Sequence, residues 1–359
     1  MEKHDVAVKA DYASLVEGVA REELAQHRQS ACCVERYDPS YIRNVPKVVV
    51  GADLGCGNPT KYLRAGDTVL DIGCGAGMNC YIAAQIAGPK GRIIGVDFTE
   101  SMLKVAREAQ AEFSSSQPKA APLIFFAASA HDLALDLEWA ERELAQTPIT
   151  SLEQLRAYES CVAATRRSQP AIADASIDVV ISNCVINLLD DLDKPSVFRE
   201  MTRVLKPGGR FAISDNVSNI PVPERVKSDQ LLWSACYAGV LQEQEFYAQL
   251  ERAGFVNIRV EVRNPDPAHQ VDDLIFYSVT VTGEKAHRAA ERPIKVMYRG
   301  PLKAVVGDGG KVYRRGALET FADADSHLAA DPEANGFMVL DTDVAAADVQ
   351  RDQGDCCCD

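Results

Sequence analysis

The rhythm of apolar and polar positions changes several times along this chain. Residues 11–28 set Leu15, Val16, Val19 and Leu24 at helical spacing, which predicts an N-terminal helix. From residue 68, short continuous apolar runs alternate with helical periods. Thr68–Ile72, Arg92–Val96, Leu123–Ala127, Ile177–Ser182 and Arg210–Ser214 read as buried strands. Met78–Ala87, Glu100–Phe113 and Lys194–Leu205 read as helices between them, the last stopped by Pro207-Gly208-Gly209. This alternation predicts an α/β, doubly wound, mostly parallel sheet covered on both faces.

Residues 131–174 break the rhythm, because a link between two such strands does not need that length. Leu133–Ala145 and Ser151–Ser168 are helix-like and polar, so an inserted helical excursion at the surface is expected. Beyond residue 220, Val226–Gln249 reads as helix in pieces, and Phe255–Val262 and Leu274–Thr282 read as paired strands. Residues 293–322 read as a small β unit, with Gly307-Asp-Gly-Gly310 turning between Lys303–Val306 and Lys311–Arg314. The expected organisation is an N-terminal helical segment (1–44), the doubly wound domain (45–220), a sheet-completing region (221–288) and a smaller C-terminal α+β region with a Cys-rich tail (289–359).

Composition narrows the class. Of 359 residues, 47% are hydrophobic and 25% charged, the balance of a soluble globular chain long enough to bury a core without disulfide staples. The net charge of −14 argues against a broad nucleic-acid surface, which needs clustered Lys and Arg. No apolar run reaches the ~20 residues of a membrane span. Residues 1–21 lack the apolar core of a signal peptide. A cytoplasmic monomer is expected. Eleven cysteines in such a chain point to metal, catalytic or redox work.

The motif Thr68-Val-Leu-Asp71-Ile-Gly73-Cys74-Gly75-Ala-Gly77, followed by Gly95-Val-Asp97, carries the first chemistry. Glycines after an apolar strand let the backbone turn sharply and approach a ligand closely. The following helix presents unpaired N–H groups. An acidic residue closing the next strand, Asp97, suits both hydroxyls of a ribose. A dinucleotide is the competing ligand, but a carboxylate just before the glycines, Asp71, suits the cationic amino-acid end of S-adenosylmethionine better than a pyrophosphate.

The cysteines carry the second. Cys56 lies in a Gly- and Asp-rich loop, Cys184 directly follows the fourth strand, and Cys236 lies in the helical segment beyond the sheet. Carboxyl ends of parallel strands are where doubly wound folds bind ligands. Three converging thiolates make a soft pyramidal site that suits trivalent arsenic. The plain alternative is three ordinary buried cysteines, as is read for the side chains of Cys74 and Cys80 and for the incidental Cys161. Adjacent cysteines, Cys32-Cys33 and Cys356-Cys357-Cys358, suit thiol exchange or metal capture.

Taken together, Asp71-Ile-Gly-Cys-Gly-Ala-Gly77, Gly95-Val-Asp97, Val180-Ile-Ser-Asn-Cys-Val-Ile-Asn187, Val204-Leu-Lys-Pro-Gly-Gly209, Ser214-Asp215 and Leu232-Trp-Ser-Ala-Cys-Tyr-Ala-Gly239 resemble the arsenite S-adenosylmethionine methyltransferases. The resemblance covers most of residues 30–283. It implies a Rossmann-like methyltransferase sheet that binds S-adenosylmethionine through Asp71, Gly73, Cys74, Gly75, Asp97, Phe98, Ser129, Ala130 and Asn183. It implies that Cys56, Cys184 and Cys236 bind As(III), and that Cys32 or Cys33 exchanges disulfides with a thiol reductant, thioredoxin or glutathione. The implied substrate is arsenite or a thiol conjugate of it, methylated for detoxification. The chain departs from the family pattern at Ala235, where many members carry Glu, and in its longer excursion at 131–174. Two other functions fit the residues: methylation of another small carbon, nitrogen or oxygen acceptor, and non-catalytic metalloid binding.

Overall fold

A computed structural model describes residues 8–13, 37–286, 294–322, 325, 327–328 and 332–340. Five parallel strands form the centre: β1 (Thr68–Ile72), β2 (Arg92–Asp97), β3 (Leu123–Ala127), β4 (Ile177–Asn183) and β5 (Leu205–Ser218). β6 (Phe255–Arg263), β7 (His269–Val271) and β8 (Leu274–Lys285) complete an eight-stranded sheet of order β3-β2-β1-β4-β5-β8-β6, with β7 paired to β8. β8 runs antiparallel to β5 and β6.

Alternate side chains sort onto the two faces, as a period of two dictates. Leu70, Ile72, Ile94, Val96 and Val180 join one apolar cluster with Phe198 and Phe211. Val69, Ile93, Val179 and Ile181 join another with Tyr81, Leu103 and Phe113. The sheet is therefore covered on both sides, in the doubly wound arrangement the strand pattern predicts. Each large side chain buried here contributes about 1.5–3 kcal/mol relative to exposure.

Helix and strand bounds follow the sequence reading in β1 to β4 and differ elsewhere: the expected helix from Leu133 begins at Leu137, β8 runs on to Lys285, and the C-terminal unit gains β13 beyond residue 322. The run from Glu100 is two helices, Glu100–Glu108 and Gln110–Ser116. β5 begins at Leu205, not Arg210, where Leu205 pairs with Ile177 of β4 ahead of a register shift that spans Pro207-Gly208-Gly209, and it continues to Ser218 because pairing with β8 extends that far. The excursion consists of helices Leu137–Gln146 and Leu152–Ser168. The second buries only Val162, so it has little apolar contact to hold it.

The chain divides into two compact units, 1–286 and 287–359. In the second, β9 (Lys295–Tyr298) lies between β12 (Leu318–Thr320) and β13 (Phe337–Val339), and β10 (Ala304–Val306) pairs with β11 (Val312–Arg314). Asp325 caps the turn between β10 and β11, accepting from Gly309 N at 3.0 Å and Tyr313 Oη at 2.6 Å. Residues 8–13 are helical, and the remainder of the expected N-terminal helix lies outside the described residues. Among the described residues no helix is long and apolar enough to cross a membrane.

The order β2-β1-β4 contains the reversal that positions the site. From β1 the chain winds outward through β2 and β3, then returns to the other side of β1 as β4. The crevice at such a reversal lies beyond the carboxyl ends of the strands. Asp71, near the end of β1, is fully buried there. One carboxylate oxygen accepts the Cys80 thiol at 3.2 Å, and the other has no hydrogen-bond partner. Burial pushes the carboxyl up to about 7, the Cys80 hydrogen bond opposing it and the charges of Asp97 and Asp53 adding to it.

A raised carboxyl pKa means that the folded chain holds this proton more tightly than the unfolded chain. The contribution of Asp71 to stability is therefore full at low pH and is lost as pH rises from about 3.8 to about 7. Asp71→Asn removes that dependence. Between pH 5 and pH 8 the wild type should lose on the order of 2 kcal/mol of stability relative to Asp71→Asn. Urea unfolding at both values checks it; parallel losses in the two proteins would exclude a raised Asp71.

Candidate functional site

The glycine loop joins β1 to the helix Met78–Ala87, whose cap residue Gly77 is left-handed. Gly73 has φ +67°, and a Cβ there would lie 2.4 Å from Val185 Cγ2, so only glycine fits against the segment following Cys184. The loop is tied to β2 through backbone and carboxylate. Cys74 N donates to Val96 O at 2.9 Å, and Gly75 N donates to Asp97 Oδ2 at 2.9 Å. Asp97 Oδ1 also accepts from Thr99 N at 2.8 Å. Burial raises the Asp97 carboxyl, and these N–H donors oppose the rise.

An open cleft with about 990 Å³ of empty volume lies over this loop. Gly73, Cys74, Gly75, Asp97, Phe98, Ser129, Ala130 and Asn183 line it, as does Cys184. These include every expected cofactor residue except Asp71, which lies beneath the loop. At Gly75 the space a Cβ would occupy is empty to 4 Å, so the backbone stands open to a ligand.

The cysteines gather beside this cleft, which Cys184 lines; the sulfurs of Cys56 and Cys184 form, with Asp215, a group within 4.8 Å that does not include Cys236. Asn183, the last residue of β4, holds the Cys56 loop by a carboxamide clamp. Its Oδ1 accepts from Cys56 N at 2.9 Å and Gly57 N at 3.1 Å, and its Nδ2 donates to Gly57 O at 2.9 Å and Tyr37 Oη at 3.1 Å. Its amide is thus engaged with protein while its surface faces the cleft. Cys56 and Cys184 are joined as a disulfide with a Cα–Cα separation of 5.8 Å. Cys236 Sγ donates to Cys184 O at 3.5 Å and lies 3.7 Å from Tyr12 Oη.

All three cysteines belong to one buried apolar cluster with Val8, Leu188, Trp233 and Ala238. Cys184 and Cys236 both have left-handed backbone, at φ +58° and +65°. A side chain in that region costs of order 1–3 kcal/mol, and such strain gathers at functional sites. Cys32, Cys33 and Cys356–Cys358 lie outside the described residues. Cys161 is exposed on the helix Leu152–Ser168, and the Cys74 and Cys80 thiols are buried under the glycine loop, where burial pushes Cys74 up to about 11.

Two neighbours of the sulfurs escaped assignment from sequence. Asp215 is 1% exposed, and its carboxylate and the sulfurs of Cys56 and Cys184 all lie within 4.8 Å of one another. Burial pushes its carboxyl up to about 7 against several backbone N–H donors. Its place just past the apolar core of a strand, in Ser214-Asp215, was the available signal. Tyr12 comes from the N-terminal segment, and no pattern along the chain links it to Cys236.

A methyltransferase-domain family model matches residues 63–137 and 153–254, passing over part of the helical excursion. The chain is 36% identical over 250 residues to the arsenite methyltransferase of Halobacterium salinarum, covering 67% of this chain and 53% of that protein. It is 31% identical over 316 residues to the arsenite methyltransferase of Rattus norvegicus, covering 84% of this chain and 76% of that one. This chain therefore spans about half the length of the archaeal relative and about three quarters of the rat one. A crystal structure of an arsenic(III) S-adenosylmethionine methyltransferase from Chlamydomonas reinhardtii matches with TM-score 0.56 at 25% identity, covering 84% of this chain and 94% of that one. With a glycine loop and a strand-end cysteine flanking one crevice, and relatives alike over most of its length, the chain belongs to the arsenite methyltransferase family.

Proposed function

We propose that this chain transfers methyl groups from S-adenosylmethionine to trivalent arsenic bound by Cys56, Cys184 and Cys236. The observation that carries the reading is the gathering of these three cysteines, from distant parts of the chain, in one buried apolar cluster beside the glycine-loop cleft. Soft sulfur donors favour a soft acceptor.

The cleft fits the cofactor in three respects: open backbone at Gly75, a helix N-terminus beyond Gly77, and the Asp97 carboxylate at the end of β2. In this reading Asp97 takes the ribose hydroxyls and the glycine loop carries the amino-acid end, with Phe98, Ser129 and Ala130 around the base. S-adenosylmethionine, when bound, supplies a methyl group on a sulfonium sulfur, which a lone pair on arsenic can accept. Arsenic carries no proton to remove, so the chain needs no general base at the acceptor. Its part is to hold two reactants together, an effect worth about 7–11 kcal/mol in well-oriented systems.

The sulfurs must first be thiols. Reduction of the Cys56–Cys184 disulfide by two thiols of glutathione or thioredoxin yields two cysteine thiols and the oxidised reductant. Arsenous acid, As(OH)₃, then exchanges its three hydroxyls for three protein sulfurs, releasing three waters. Methylation formally oxidises arsenic by two electrons. Two site thiols that return them close as a disulfide, the bond Cys56 and Cys184 form here. Cys32 or Cys33 serves in this reading as the relay to the external thiol, and the cytoplasm supplies that thiol.

Cys184→Ser should abolish arsenite methylation while S-adenosylmethionine affinity stays within about twofold. Arsenic speciation after incubation with arsenite, cofactor and glutathione measures the first, and calorimetry the second; near-normal turnover would remove Cys184 from the chemistry. Asp97→Ala should weaken cofactor binding tenfold or more, about 1.4 kcal/mol. Unchanged calorimetric affinity would exclude the ribose role.

A further inference from the structure

Three consecutive residues near the end of β5 attend the three cysteines. Ser214 O accepts Cys184 N at 2.9 Å and lies 3.6 Å from the Cys56 sulfur. Asp215 grips the turn that follows Cys184: Oδ2 accepts Ile186 N at 3.0 Å, and Oδ1 accepts Asn187 Nδ2 at 2.6 Å and Asn216 N at 2.9 Å. Asn216 Nδ2 donates to Cys236 O at 3.4 Å, and Asn216 O accepts Asn187 Nδ2 at 2.8 Å.

The turn held by Asp215 is also the seat of the Cys236 segment. Trp233 Nε1 donates to Leu188 O at 3.0 Å. Gly239 packs so closely on this turn that a Cβ there would lie 2.3 Å from Asn187 O. Both cysteines flanking the seat have left-handed backbone, a conformation that persists only where surrounding contacts over-determine it. The contacts that do so at Cys184 and Cys236 converge on Asp215 and Asn216, which are 1% and 4% exposed.

We propose that Ser214-Asp215-Asn216 is the strut that sets the arsenic site, with Asp215 the positioning residue for Cys184 and Asn216 the positioning residue for Cys236. The proposal rests on the arsenic-binding reading of those cysteines. Asp215 and Asn216 each fix where a sulfur points, and an error of about 1 Å in such a placement is enough to cost two orders of magnitude in rate. A carboxylate suits the Asp215 position because only acceptors can face the donors gathered there, and a carboxamide replaces one acceptor by a donor.

The test uses full-length, reduced protein carrying Trp139→Phe, which leaves Trp233, in the cysteine cluster, as the reporter of the chain's two tryptophans. Arsenite is titrated by fluorescence and S-adenosylmethionine by calorimetry. Asp215→Asn should weaken arsenite binding tenfold or more, and Asn216→Asp at least fivefold, while cofactor affinity stays within twofold in both. In Asn216→Asp, arsenite should still protect Cys56 and Cys184 from maleimide, whereas Cys236 becomes labelled; general destabilisation would not select one thiol.

Arsenite affinity unchanged in both variants, or all three thiols protected in Asn216→Asp, overturns the strut. If Asp215→Asn also loses the cofactor, Asn216→Asp decides the matter alone. A Trp139→Phe parent that takes up cofactor but gives no arsenite signal overturns the arsenic reading itself, and the strut with it.

Discussion

The parallel pairing of β1 with β4 is the constraint on which the site depends. Val69 to Ile72 lie in register with Val179 to Ser182 in the middle of a sheet covered on both faces. Because the two strands run the same way and end at the same level, the glycine loop after β1 and the Asn183-Cys184 corner after β4 emerge side by side. Every later step, from the close contact of Gly73 with Val185 to the clamp of Asn183 on the Cys56 loop, builds on that shared edge. Apolar burial on both faces makes the pairing rigid, and rigidity at the strand ends is what a site needs for precise placement.

The same edge gathers features that cost stability. Asp71, Ser182 and Asn216 each leave a buried oxygen without a hydrogen bond, and Cys184 and Cys236 are left-handed. An unsatisfied buried polar atom costs about 1–3 kcal/mol, so this concentration is not neutral. The surrounding apolar clusters offset it. A fold optimised for stability alone would use Gly or Asn at positive φ and apolar residues beneath the loop. Cysteines and carboxylates in those places point to chemistry.

The excursion at 137–168 stands outside this economy of contacts. The helix Leu152–Ser168 presents Leu152 and Leu155 to solvent and buries one side chain. The C-terminal unit has its own small core around Val296, Tyr298, Tyr313 and Phe337. The excursion can vary without disturbing the β1–β4 edge, which agrees with a family match that continues on either side of it.

Sequence by itself determined the central elements. Apolar runs bounded by Gly, Pro and Asp located β1 to β4 within about a residue, because a strand buried on both faces reads as a near-continuous apolar run. The glycine loop and Asp97 were legible for a related reason: their function needs particular residue types at short spacing, a local property. The start of β5 at Leu205, its continuation to Ser218 and the break at Ala109 were not legible, since pairing with β4, pairing with β8 and packing decide them against local propensity. The sequence reading expected the three cysteines to converge, but the Cys56–Cys184 bond could not be read, for its partners lie 128 positions apart. Asn183's clamp, Tyr12's approach and the strut at Ser214-Asp215-Asn216 belong to tertiary structure alone. Hydrogen-bond partners distant in sequence leave no periodicity behind, and only the closing of the sheet decides which of them meet.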